Sequence, residues 1–224
     1  MTISYSQLPT QIEYPDEDGK PMAESDQARN YLTYAVEVLR IYFQNRTDVY
    51  VSGNLFIYYE EGNPSSVISP DAFVVFGVEK RERRSYKTWE EEDKNPDFVL
   101  EITSKSTRSQ DQGAKKGIYA FLGVGEYFQY DPTGDYLNPR LQGLHLVEGN
   151  YLPCSATVLP DGTTSISSEV LGLELRLLPS GEWRFYDPVA GKTLLTHQEE
   201  VAARQAAEAR IAELEARLRA LEDR

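Results

Sequence analysis

Residues 96–132 read PDFVLEITSKSTRSQDQGAKKGIYAFLGVGEYFQYDP, and they carry the clearest structural signal in the chain. Alternation along 98–103 predicts a strand with Phe98, Leu100 and Ile102 on one face and Glu101 on the other. A helix is predicted next, from about residue 109 to residue 122, closed by a glycine. A second strand follows over 127–131 and ends at a proline. The stretch therefore predicts a strand–helix–strand unit with a carboxylate inside its apolar first strand.

The sequence before this unit predicts one helix and two strands. Ser25 and Asp26 are N-cap residue types, and apolar residues at helical spacing extend the helix to about residue 46. Residues 49–59 and 72–76 are rich in apolar and aromatic side chains and predict strands. Residues 79–96 are charged and predict an irregular segment.

Short segments with Gly and Pro turns between 141 and 188 predict antiparallel strands. We therefore expect an α/β (α+β) fold with a central mixed sheet flanked by helices. Its domain is expected over 24–190, after an extended N-terminal arm over 1–23.

The tail over 196–224 is rich in Ala, Glu, Arg and Leu and contains neither Gly nor Pro. Its small and apolar residues alternate by four and three, which is typical of a coiled-coil seam; they are Ala207, Ile211, Leu214, Leu218 and Leu221. Only two to three heptads are present, so this helix is marginal alone. It either packs on its own domain or pairs two chains, and the sequence leaves both open.

Composition excludes several classes of protein. Hydrophobic residues make up 40% of the 224, which excludes a disordered chain, and the net charge of −13 excludes binding of polyanions through bulk charge. A single cysteine excludes an internal disulfide, and two distant histidines argue against a zinc site. We see neither a signal peptide nor a membrane span and expect a cytoplasmic protein without membrane contact.

Two carboxylates stand out as candidates for chemistry. Asp71 begins one predicted strand and Glu101 lies within another, and a carboxylate buried in an apolar strand requires a partner or a cation. A solvent-facing Glu101 on an edge strand is the alternative. Two carboxylates with a lysine suit metal-assisted phosphodiester hydrolysis, because Mg²⁺ prefers oxygen ligands and a lysine offsets charge on the phosphoryl group.

Pro70-Asp71 and the run over 96–132 resemble the Uma family of restriction-endonuclease-like proteins, common in cyanobacteria, in the PD-(D/E)XK nuclease superfamily. The similarity covers about residues 20–188 and implies a divalent-metal nuclease with a restriction-endonuclease-like core. It implies that Asp71 and Glu101 bind Mg²⁺ or Mn²⁺, with the main-chain carbonyl of Ile102 as a further ligand, and that Lys115 is the catalytic lysine. The superfamily's simplest pattern puts that lysine at Thr103, whereas this family carries it on the next helix.

Further residues have supporting roles under this resemblance, each with a structural alternative. Glu24 matches an auxiliary acid or is a helix-capping carboxylate. Asp111, Lys115 and Tyr119 lie at i, i+4 and i+8 on one helix face, where Tyr119 supports the lysine or is a core aromatic. Lys116 points about 100° away from Lys115 and ranks second as the catalytic lysine.

Basic residues near the predicted site are candidates for DNA contact. Residues 79–87 contain five basic and two acidic side chains, which suits a phosphate track or a solvated loop. The candidates are Arg83, Arg84, Lys87, Lys105, Arg108 and Lys116.

The leading hypothesis is a Mg²⁺-dependent DNA endonuclease, homodimeric so that two sites cut two strands. One alternative is a catalytically inactive nuclease fold that binds partners through its C-terminal helix. Another is a glycosidase using Asp71 and Glu101, but this leaves Lys115 without a role.

Overall fold

The structure is a computed structural model that describes residues 12–16, 25–103 and 113–222. Three α-helices occur in this part of the chain: α1 (Asp26–Tyr42), α2 (Lys115–Phe121) and α3 (His197–Glu222). The strands of the same ranges are, in chain order, β1 (Val49–Ser52), β2 (Ile57–Tyr58), β3 (Val67–Ile68), β4 (Ala72–Phe76), β5 (Tyr86–Lys87), β6 (Phe98–Ile102), β7 (Glu126–Tyr130), β8 (Leu141–Val147), β9 (Asn150–Pro153), β10 (Ala156–Val158), β11 (Thr164–Ser168), β12 (Leu173–Leu177), β13 (Trp183–Asp187) and β14 (Lys192–Thr193).

The strands form a central sheet and two smaller ones. The central sheet has the order β1-β4-β6-β7-β8-β9, and it is mixed because β6 and β7 are parallel while its other pairs are antiparallel. The parallel pair requires a crossover, and the segment containing α2 makes it. Strands β10 to β14 form an antiparallel sheet, and β3-β2-β5 form a small third one. The predicted α+β fold with a central mixed sheet and flanking helices is confirmed.

The two faces of the central sheet bury different partners. One face packs on α1 and on apolar residues of β11, β12 and β13, while the other packs on α2 and the small sheet. Alternation along β6 sends Phe98, Leu100 and Ile102 to the α1 face and Val99 to the α2 face. Glu101 therefore lies on the α2 face, as the sequence predicts.

Helix α1 forms because it has a capped start and one continuous apolar face. The Ser25 hydroxyl accepts a hydrogen bond from the Ala28 N–H at 3.2 Å. The Tyr34 hydroxyl donates to the Leu194 carbonyl and accepts from the Phe185 N–H, both at 3.0 Å, which ties α1 to the second sheet. The helix ends at Tyr42 rather than near residue 46, because the chain turns there before β1.

The predicted strand over 49–59 is instead two strands in different sheets. The chain leaves the central sheet at Gly53 and Asn54, where Asn54 has the left-handed φ of 47° and its N–H donates to the Pro70 carbonyl at 2.9 Å. A Cβ built on Gly53 would lie 2.1 Å from the Asp71 carbonyl oxygen, so only glycine allows this crossing. The charged segment 79–96 is also more regular than predicted, because β5 pairs with β2.

The chain ends differ in how they contact the domain. Residues 12–16 lie against it, with the Tyr58 hydroxyl donating to the Pro15 carbonyl and Arg84 pairing with Asp16 at 2.6 Å. At the other end, Thr196 and Glu199 cap α3 reciprocally, and Arg184 binds Glu199 at 2.9 Å. The predicted boundaries of arm, domain and tail stay predictions. Among the described residues, no helix combines the length and apolar character needed to cross a membrane.

Candidate active site

Sheet register brings the two predicted carboxylates together. Strands β4 and β6 are antiparallel, with Ala72 opposite Leu100, so Asp71 and Glu101 are the next opposed positions. The Ile102 N–H donates to Asp71 Oδ2 at 2.6 Å, which fixes the Asp71 carboxylate against the end of β6. Asp71 directly precedes β4, and Glu101 lies near the end of β6. Because the two strands are antiparallel, both acids lie at the same end of this strand pair, on the face that packs on α2.

Helix α2 supplies the partners of Glu101. Lys115 Nζ lies 2.8 Å from Glu101 Oε2, and the Tyr119 hydroxyl donates to Glu101 Oε1 at 2.5 Å. Lys115 and Tyr119 are one helical turn apart and therefore project from the same face of α2. The two side chains engage both oxygens of the carboxylate, which is the convergence that the sequence predicts for Glu101 and Lys115.

The electrostatics of this cluster follow from its burial. The Glu101 side chain is 1% exposed and that of Lys115 16%, so the ammonium reaches solvent while the carboxylate does not. Removing a carboxylate from water is costly unless it is paired and hydrogen-bonded, and Glu101 has both kinds of partner. Burial, followed by the nearby Glu101 charge, raises the pKa of Tyr119 well above its ordinary value. Tyr119 therefore remains a protonated donor.

Two further polar side chains lie beside Glu101 on the same face. Gln129 is directly opposite Glu101 in the parallel β6–β7 pair, and Thr103 follows two residues after Glu101. Both are buried, and within the described part of the chain neither the Thr103 hydroxyl nor the Gln129 Nε2 has a hydrogen-bond partner. Buried polar atoms of this kind usually mark a place for water or a ligand. Gln129 was not predicted from the sequence, because a glutamine in a strand has no chemical signature until its neighbour is known.

The donor set suits a hard divalent cation. Asp71 and Glu101 supply carboxylate oxygens, and Thr103 adds a hydroxyl that has no partner among the described residues. Mg²⁺ is commonly bound by one or two carboxylates with water completing its coordination. Across the described ranges, no three His, Cys, Asp or Glu side chains form a cluster able to hold a metal. Asp71 and Glu101 are the described residues here that could hold such an ion, with water completing its coordination.

Other predicted site residues are not placed by the structure. Glu24, Lys105, Arg108 and Asp111 lie outside the described residues. The Ile102 main-chain carbonyl stays a prediction as a metal ligand, since the contact seen at this residue is between its N–H and Asp71.

The charged loop after β4 differs from the sequence-based expectation. The Arg83 side chain is only 2% exposed, pairs with Glu91 at 2.8 Å and lies over the Tyr50 ring at 4.2 Å. Its prediction as a DNA contact is therefore corrected: its guanidinium fastens the loop to the domain. Lys87 binds Glu90 at 3.0 Å on the surface, and the Arg84 side chain is 88% exposed. Lys116 is half-buried on α2, next to the catalytic candidate Lys115.

This mixed sheet, with two acids from adjacent strands and a lysine from the crossover helix, defines an α+β protein of the restriction-endonuclease-like class. A family model named Uma2 and described as "Putative restriction endonuclease" matches residues 4–179. The chain belongs to this family, which confirms the resemblance seen in the sequence.

Solved structures similar to this chain include one described as a nuclease. It is that of "a putative nuclease belonging to DUF820" from Anabaena variabilis, which is 13% identical, with 68% of this chain and 76% of that chain covered and a TM-score of 0.45. No curated protein matches the chain.

Proposed function

We propose that the protein is a Mg²⁺-dependent endonuclease that hydrolyses DNA phosphodiester bonds at Asp71, Glu101 and Lys115. Membership of a family described as restriction endonucleases supports the reaction class. The observation that carries the proposal is the 2.8 Å contact between Lys115 Nζ and a buried Glu101, on the sheet edge where Asp71 also lies. A purely structural role would not require a lysine, a tyrosine and a second acid around one carboxylate.

Asp71 and Glu101 would hold the ion, and Mn²⁺ is the expected substitute for Mg²⁺. A bound divalent cation would act as a Lewis acid toward the phosphoryl oxygens. Asp71 is suited to this because its carboxylate is fixed by the Ile102 N–H rather than free to rotate. Fixed ligands reduce the reorganisation needed during the reaction.

Lys115 is the group that reaches both the site and solvent. Its ammonium contacts Glu101 and is partly exposed, so it can turn toward a phosphate without leaving the cluster. There it would stabilise the negative charge that develops on the phosphoryl oxygens. Tyr119 keeps one oxygen of Glu101 hydrogen-bonded while Lys115 moves, so the acid is not left buried without a donor.

We assign DNA contact to basic side chains that reach solvent. Arg84 and Lys116 remain candidates, and Lys87 can join them by exchanging its surface pair with Glu90. The net charge of −13 repels polyanions at long range, so we expect weak binding carried by these few local cations. A homodimer in the cytoplasm is the expected working form, because one site cuts one strand.

Plasmid DNA incubated with the protein and Mg²⁺ or Mn²⁺ tests the proposal. Wild-type protein should nick or linearise the plasmid, whereas Glu101→Gln and Lys115→Ala should reduce cleavage at least about a hundredfold. Lys192→Ala is the matched control, because Lys192 is exposed on β14, in the antiparallel sheet of β10 to β14.

Metal binding is measured separately by calorimetry with Mn²⁺ alone. Heat from wild type that is lost in Asp71→Asn would support the ion site. Cleavage that persists equally in all variants would show a contaminating nuclease. Inactive wild-type protein that also binds no Mn²⁺ would leave the inactive scaffold as the better interpretation.

A further inference from the structure

Helix α3 is long, and most of it touches no other part of the described chain. It spans 26 residues, about 39 Å at 1.5 Å per residue, and every residue over 202–215 is exposed. Contact with the domain is made at its first turn, through Glu199 and through the His197 N–H, which donates to Glu37 at 2.8 Å. The described residues of the domain therefore leave the rest of this helix uncovered.

Two large apolar side chains lie on the exposed surface of α3. Ile211 is 56% exposed and Leu214 49%, although both residue types are usually buried. With Ile211 at a heptad a position, Ala207 and Leu214 occupy d positions, and the sequence continues this pattern at 218 and 221. Ile211 and Leu214 therefore continue the heptad positions of Ala207, Leu218 and Leu221, and Arg204 occupies the preceding a position.

The charges beside the seam identify the partner. In this register Arg210 and Arg217 occupy g positions, whereas Glu208 and Glu215 occupy e positions. This helix carries positive charge at its g positions and negative charge at its e positions, so it complements a copy of itself. In a parallel pair, the g residue of one helix lies beside the e residue of the next heptad in the other helix. We propose that α3 pairs with α3 of a second copy as a parallel two-stranded coiled coil, in which Arg210 faces Glu215 of the partner subunit.

The same charges exclude the opposite orientation. Antiparallel helices place g against g and e against e, which would oppose Arg to Arg and Glu to Glu. The pairs that these side chains make within one helix do not compete strongly, because Arg210–Glu213 at 2.5 Å and Arg217–Glu213 at 2.7 Å join side chains 45% to 66% exposed. The inference rests on α3 alone and does not depend on nuclease activity.

Disulfide trapping in the full chain tests the orientation. Ala207→Cys places a thiol at a d position, where parallel partners bring identical residues close enough to bond. Mild oxidation should convert this variant to a covalent dimer. Ala209→Cys is the matched control, because it lies on the same helix turn at the outermost f position. The wild-type chain, whose single cysteine is Cys154, shows whether that residue alone forms a disulfide between two chains.

Sedimentation equilibrium tests the charge pairing. Arg210→Glu opposes two acids at two symmetric contacts and should weaken the dimer about tenfold, and adding Glu215→Arg should restore it. A wild-type chain that stays monomeric at every concentration would overturn the proposal. Equal cross-linking of the two cysteine variants, or no rescue by Glu215→Arg, would overturn the parallel register. Far-UV circular dichroism at the same concentrations checks that each variant retains its helix.

Discussion

The ion pair in the candidate site predicts an asymmetry between two substitutions. Lys115→Met leaves the Glu101 carboxylate buried, with Tyr119 still donating to it but without the neighbouring cation. Breaking a fully buried pair costs about 3–5 kcal/mol. Because the Lys115 side chain is 16% exposed and one hydrogen bond survives, we expect a loss of about 2–3 kcal/mol. Glu101→Gln should cost less than about 1 kcal/mol, since the amide oxygen still accepts from Tyr119 and the lysine extends into water.

Urea unfolding followed by tryptophan fluorescence measures both values, because Trp183 is fully buried in the core. Lys116→Met is the matched control on the adjacent residue of α2, and its free energy of unfolding should change by no more than about 0.5 kcal/mol. The double variant of Lys115 and Glu101 should be more stable than Lys115→Met alone, since it removes the buried negative charge that has lost its ammonium partner. If Glu101→Gln is as destabilising as Lys115→Met, or Lys115→Met costs nothing, the carboxylate is not held by the lysine.

Three further substitutions, at Gly53, Glu91 and Ser25, test contacts that position or stabilise the fold around the site. Gly53→Ala should lower the free energy of unfolding by about 1–3 kcal/mol and abolish cleavage, because its Cβ would lie 2.1 Å from the Asp71 carbonyl oxygen. Urea unfolding measures the first effect and the plasmid assay the second. The hydrogen bond from Arg83 holds the pKa of Glu91 below its ordinary value, so the stability it provides is present above the unfolded-state pKa and is lost as the pH falls through the folded one. Glu91→Gln should therefore flatten the acid side of the stability–pH curve. Ser25→Ala should cost about 1 kcal/mol in urea unfolding through loss of the cap on α1.

Much of the central sheet could be predicted from the sequence because its signals are local. Residues 72–76 form β4 with the predicted bounds, and 98–102 form β6 with the predicted alternation. The pairing of these two strands places Asp71 beside Glu101, so residue spacing and family resemblance were sufficient to nominate the site. Lys115 lies four residues before Tyr119, and a helix converts that spacing into a shared face.

What the sequence could not predict depends on contacts between distant segments. Contacts with Glu91 and Tyr50 turn the Arg83 side chain away from solvent. No residue spacing within a loop indicates such contacts. The strand break at Gly53 is imposed by the Asp71 backbone rather than by a local turn motif. Gln129 could not be assigned to the site from the sequence, because only the parallel register of β6 and β7 places it opposite Glu101. Each of these errors concerns a tertiary neighbour, which hydrophobic periodicity does not encode.

Strand β6 contributes both to the hydrophobic core and to the candidate site. Its residues alternate between the hydrophobic interior shared with α1 and the polar cluster under α2. Deleting one residue of this strand would turn the acid into the aromatic interior and a leucine toward the lysine. A register shift of this strand would thus weaken the core and separate Glu101 from Lys115 and Tyr119 at the same time.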